Sequence, residues 1–108
     1  MPKFLIEASY TAEGLRGLTK DKASGRKTAV EAALSGLGGK LECLYFAFGA
    51  ADVYVVYECP DNVSAAAFAI AASAGGAVRE FKTTPLMDSA DGVKAMKKAG
   101  SSGYEPPG

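Results

Sequence analysis

At 108 residues the chain has the length of one compact domain, able to bury roughly 65% of the surface its unfolded form exposes. Lysine plus arginine equals aspartate plus glutamate at 12 each, so no net field draws the protein to nucleic acid or to an anionic membrane. With no histidine and only two cysteines, Cys43 and Cys59, the chain alone cannot build a zinc, haem-histidine or Ser-His site, and neither metal nor cofactor is expected.

The opening "MPKFLIEASY" lacks the charged-then-apolar order of a signal peptide, and no apolar run approaches the ~20 residues of a membrane span, so a cytoplasmic location is expected. "KFLIEASY" reads as a strand with Phe4, Ile6, Ala8 and Tyr10 on one face and Leu5, Glu7 and Ser9 on the other. From Thr11 to Leu37 the pattern is helical in two pieces separated by the turn-prone "KASGR". In the second piece Thr28 and Glu31 fit a capping box, Val30, Ala33, Leu34 and Leu37 form an apolar stripe, and Gly38 and Gly39 stop the helix.

Lys40 to Phe48 and Val53 to Cys59 read as a hairpin. A three-residue loop (Ala50 to Asp52) sets Cys43 opposite Cys59 and puts Glu42 and Glu58 together on the other face. A four-residue loop (Gly49 to Asp52) shifts the pairs by one and parts the cysteines. In the reducing cytoplasm both cysteines are expected as free thiols. "PDNVSAAAFAIAASAGG" predicts a helix capped by Asp61, with Val63, Ala66, Ala67, Ile70 and Ala74 inward and Gly75-Gly76 as its stop. A fourth strand runs from Ala77 toward Pro85, "DSADGVKAMKKAG" gives a short final helix, and "SSGYEPPG" is neither helix nor inner strand. The division expected is a domain over residues 1–100 and a tail over 101–108.

This order, β-α-β-β-α-β plus a terminal helix, is the α+β ferredoxin-like arrangement, four antiparallel strands with both helices on one face. "LYFAF" and "VYVVY" are apolar at consecutive positions, whereas a sheet with one wet face alternates. Leu44, Phe46 and Phe48, or their neighbours under the other register, are therefore expected on the face without helices, buried against a second copy. Two sheets stacked so make a dimeric α/β barrel. Tyr104 is expected to anchor the tail on a neighbouring subunit.

The segments "KFLIEASYTAEGLRGL", "ASGRKTAVEAALSGLGGKLE", "YFAFGAADVYVV", "PDNVSAAAFAIAASAGGAVREFKTTPL" and "YEPPG" together resemble the GYD-domain family of small bacterial proteins. The resemblance implies the dimeric α/β barrel group and a homodimer or higher oligomer, and it implies no particular chemistry. The Gly-Tyr-Asp element is degenerate: Gly49 and Asp52 stand in place, with Ala51 where the tyrosine is expected.

Asp at the end of a tight hairpin bonds backbone amides, so Asp52 reads as a turn residue. "KASGRK" is the best anion-site candidate, through Arg26 at a helix start, weighed against a solvated kink. Tyr10, Tyr54, Arg79 and Lys82 put polar tips on an apolar sheet, so with Arg26 they are the ligand-binding candidates for a chamber between sheet and helices, weighed equally against side chains that hydrogen-bond across a dimer and fill it. The leading expectation is a binding or structural module whose partners are itself and a small molecule, with no nucleic acid and no membrane. The alternative, by fold analogy alone, is a small cofactor-independent enzyme of monooxygenase or isomerase type.

Overall fold

Residues 1–108 are described by a computed structural model. Strand β1 (Lys3–Tyr10) runs into helix α1 (Ala12–Gly36), followed by β2 (Lys40–Phe46), β3 (Val53–Glu58), α2 (Asn62–Ala74), β4 (Val78–Leu86) and α3 (Ser89–Gly100). The strands form one antiparallel sheet in the order β2-β3-β1-β4, with α1 and α2 on one face, which is the ferredoxin-like topology. No helix is long and apolar enough to cross a membrane.

The alternation read in β1 sets the core. Phe4, Ile6, Ala8 and Tyr10 are buried beneath the helices together with Val53, Val55 and Tyr57 of β3 and with Leu34, Ala65 and Phe68 from above. Phe4 stacks on Tyr57 at 5.4 Å between ring centroids, and Tyr57 meets the edge of Phe68 at 5.5 Å, so aromatic contacts tie the two central strands to α2. Pro85, which cannot donate to a ladder, lies in β4 at the sheet edge.

The hairpin register differs from both expected forms. Phe46 pairs with Val53, leaving Ala47 to Asp52 as a six-residue connection, and the register slips between Leu41 and Cys43, where Glu42 is the extra residue. Cross-strand partners share a face, so Leu44, opposite Val55, and Phe46, opposite Val53, project to the helix side. Their expected place on the open face is thus corrected: Leu44 packs against the core and Phe46 overhangs its rim, while Phe48 lies in the connection, fully exposed. The neighbours take the open face instead, Cys43 opposite Val56 and Tyr45 opposite Tyr54. Cys43 and Cys59 are free and lie on opposite faces, and Cys59 is buried on the helix side.

Helix α1 is continuous through "SGRKT", and Thr28 is an interior residue whose hydroxyl donates to the Ser24 carbonyl at 3.1 Å, not a cap. The cap is Thr11, whose Oγ1 accepts from the Gly14 amide at 3.0 Å. The break between the helical pieces is the single residue Lys22, at φ 68°, ψ 159°. Helix α2 starts on Asp61 as read, with the Ser64 amide donating to Oδ1 at 2.8 Å. Its inner face, however, is Ala65, Phe68 and Ala72, whereas Val63 and Ile70 are 78% and 69% exposed. In a helix this rich in alanine the one large ring, Phe68, decides which side enters the core.

Helix α3 buries none of its residues, and Met87, Val93, Met96 and Tyr104 are all exposed. The radius of gyration, 16.8 Å, exceeds the ~13 Å of a compact chain of this length, in keeping with a C-terminal arm that stands off the body.

Candidate functional site

The two helices over the sheet leave a groove between them. Its floor is the core face of the strands, Ile6 and Ala8 of β1 with Val53 and Val55 of β3, bounded by Leu44 and Phe81. One wall is the second limb of α1, presenting Ala29, Val30 and Ala33, and the other is α2, presenting Phe68, Ala71 and Ala72. Alanine at the facing positions is what keeps the space open, since each shortens the reach of its helix across the sheet. The cavity measures about 390 Å³, and 15 of its 17 lining residues are hydrophobic, the other two being Arg26 and Gly75. Its polar side-chain groups are therefore the Arg26 guanidinium and the hydroxyl of Tyr10, which is one of the fifteen.

Local structure brings Tyr10 and Arg26 to one end of the groove. Tyr10 closes β1, and its amide donates to the Asp52 carboxylate at 2.9 Å, while the Asp52 amide donates to the Ala8 carbonyl at 2.9 Å. Asp52 therefore bonds a backbone amide as expected, but on the adjacent strand and not within its own turn. Arg26 lies one turn beyond the kink at Lys22. The φ/ψ pair at Lys22 belongs to a region populated almost only by glycine, so the kink stores strain of about 1–3 kcal/mol. Across the same end, the Thr11 amide donates to the Ala77 carbonyl at 2.9 Å and Gly14 approaches that carbonyl so closely that no Cβ fits. Gly75 and Ala77 complete this end of the groove.

Arg26 makes no ion pair, and its Nε is buried without an acceptor. Burial pushes the Tyr10 phenol above its ordinary range; the Arg26 charge pulls it down in part and the Asp52 carboxylate adds to the rise. The phenol is thus held protonated and serves as a hydrogen-bond donor. On the outer side of the pair a smaller hollow of about 230 Å³ is lined by Glu13, Gly14, Asp21 and the shared Tyr10 and Arg26. Two further hydroxyls, of Tyr57 and Thr83, are buried without a partner. No three His, Cys, Asp or Glu side chains are grouped so as to hold a metal ion.

The remaining candidates lie elsewhere. Tyr54 and Lys82 sit on the open face, each opposite Glu7, and Lys82 pairs with Glu80 at 3.3 Å. Arg79 is the unpaired residue at the β1–β4 irregularity between Ser9 and Tyr10, exposed at the edge. The five polar candidates are therefore split, two at the groove and three away from it. What sequence reasoning missed was the groove's walls: Ala29, Ala71 and Ala72 carry no chemical signal, and only the helix spacing gives them a role. Tyr104 is exposed, its amide donating to Ser102 Oγ at 3.1 Å.

The family model described as the GYD domain matches residues 4–100. No curated protein and no solved structure matches the chain.

Proposed function

The chain belongs to the GYD-domain family, and from that premise we propose that it is a small-molecule-binding module, self-associating through the open face of its sheet. The observation that carries the binding reading is the groove of about 390 Å³, apolar along its length and polar at one end, which has the size and lining of a ligand site. A protonated phenol beside an unpartnered guanidinium favours binding over the cofactor-independent enzyme, because a tyrosine raised by burial is a poor base near neutral pH.

Self-association is supported by a different surface. The open face carries Leu5, Cys43, Tyr45, Tyr54 and Val56 side by side with no element over them. The same face carries Lys3, Glu7, Glu58 and Lys82, charges of both signs that a second copy docked there can pair. Zero net charge leaves no repulsion between copies. The exposed apolar residues of α3 add area toward the ~1,200 Å² that a specific interface needs.

The binding reading is tested by thermal melting with and without 1-octanol, for the parent and for Ala72→Phe, which fills the groove. Ligand at about 100 times its Kd stabilises by about 2.7 kcal/mol, so the parent's Tm rises and that of the filled variant does not. Equal shifts, or none, contradict the reading.

A further inference from the structure

Resting on the reading of the groove as a small-molecule chamber, we infer that its ligand is a small apolar carboxylic acid bound as the carboxylate, its head against Arg26 and Tyr10 and its tail between α1 and α2. A guanidinium presents five N–H donors in a planar fork and accepts nothing, and one of those donors, Nε, is buried here with no acceptor in the chain. The planar oxygen pair of a carboxylate matches that fork through two parallel bonds, and a single hydroxyl or carbonyl oxygen does not. The Tyr10 hydroxyl at the same end supplies a further donor.

The rest of the chamber fixes the tail. Ala29, Val30, Ala71 and Ala72 offer no hydrogen-bonding side chain, so a second polar group on the ligand would be stripped of water with nothing in return. Glu13 and Asp21 line the outer hollow beyond Arg26, and neither pairs with it. They oppose an anion arriving on that side, and the carboxylate is placed on the chamber side, where Arg26 is the only charge.

Isothermal titration with octanoate, 1-octanol and octylammonium at neutral pH tests the assignment, because the three share a tail and differ in the head. In an apolar chamber lacking a cation the alcohol binds better than the carboxylate, which has more hydration to lose. The expected result is octanoate tighter than octanol by about tenfold, the ratio typical of one hydrogen bond to a charged group, with octylammonium the weakest. Arg26→Gln removes the charge and the fork while keeping a polar side chain; it is expected to abolish the preference for octanoate, and a parent-like melt with octanol binding still detectable reports that the chamber is intact. Octanol or octylammonium binding as tightly as octanoate, or a preference that survives Arg26→Gln, overturns the carboxylate assignment and leaves the chamber standing. Binding of none of the three overturns both.

Discussion

Removing the Asp52 side chain perturbs the junction that holds Tyr10 at the end of the groove. The carboxylate accepts from the Tyr10 amide at 2.9 Å in a part-buried setting, while the backbone bonds from the Asp52 amide to Ala8 and from the Ala47 amide to the Asp52 carbonyl do not depend on the side chain. Asp52→Ala therefore deletes one charge-assisted bond and strands one amide. Hydrogen bonds to charged groups contribute about 1.5–3 kcal/mol, and partial burial places this one near 2. For a domain of this size such a loss lowers Tm by roughly 8–15 °C. Asp52→Asn keeps an acceptor oxygen at the same reach and is expected to cost about 1 kcal/mol, by loss of the charge alone. Urea denaturation of the three proteins gives the values directly. Asp52→Ala within about 0.5 kcal/mol of the parent, the range of an ordinary surface substitution, refutes the strand-clamping role and with it the fixed placement of Tyr10.

Lys22→Gly is expected to raise stability by about 1 kcal/mol, because glycine accepts the backbone angles that lysine adopts under strain; a loss in urea denaturation contradicts the kink. Gly14→Ala is expected to destabilise strongly, its Cβ colliding with the Ala77 carbonyl, and a parent-like melt contradicts the close approach. Val56→Lys on the open face should yield monomers by sedimentation with secondary structure retained, whereas Leu44→Lys, packed on the core side, should unfold; the reverse pattern contradicts the face assignment. Burial, with a contribution from Cys59, pushes the Tyr57 phenol up to about 12. Because its folded value lies above its unfolded one, the associated stability is complete below pH 10 and is lost as pH rises toward 12, roughly 2–3 kcal/mol at ~1.4 kcal/mol per unit. Denaturation midpoints that stay level from pH 9 to 11.5 contradict that burial.

The element order and the cap at Asp61 were legible because each rests on local chemistry, an apolar period or a side chain that bonds a free amide at a helix start. Face assignment on β2 was not. Moving from the three-residue loop to the observed pairing displaces the register by an odd number of residues, and with a side-chain period of two that sends Leu44 from the open face to the core. The four-residue form has the right parity and the wrong partners, because no residue in "KLECLYF" announces the irregularity at Glu42. The inward side of α2 was equally hidden, since alanine fits either side. At the site, Arg26 and Tyr10 were visible as residue types, but their meeting depends on a one-residue kink at a lysine, where nothing in the sequence asks for a left-handed backbone.

Each subunit is expected to hold one small molecule between α1, α2 and the sheet. Native mass spectrometry of the intact protein equilibrated with octanoate tests it most directly. The expected spectrum shows multiples of the 11.1 kDa subunit, each subunit carrying one octanoate, with the adduct lost in Ala72→Phe. Bare subunits, in an assembly of any size, contradict it.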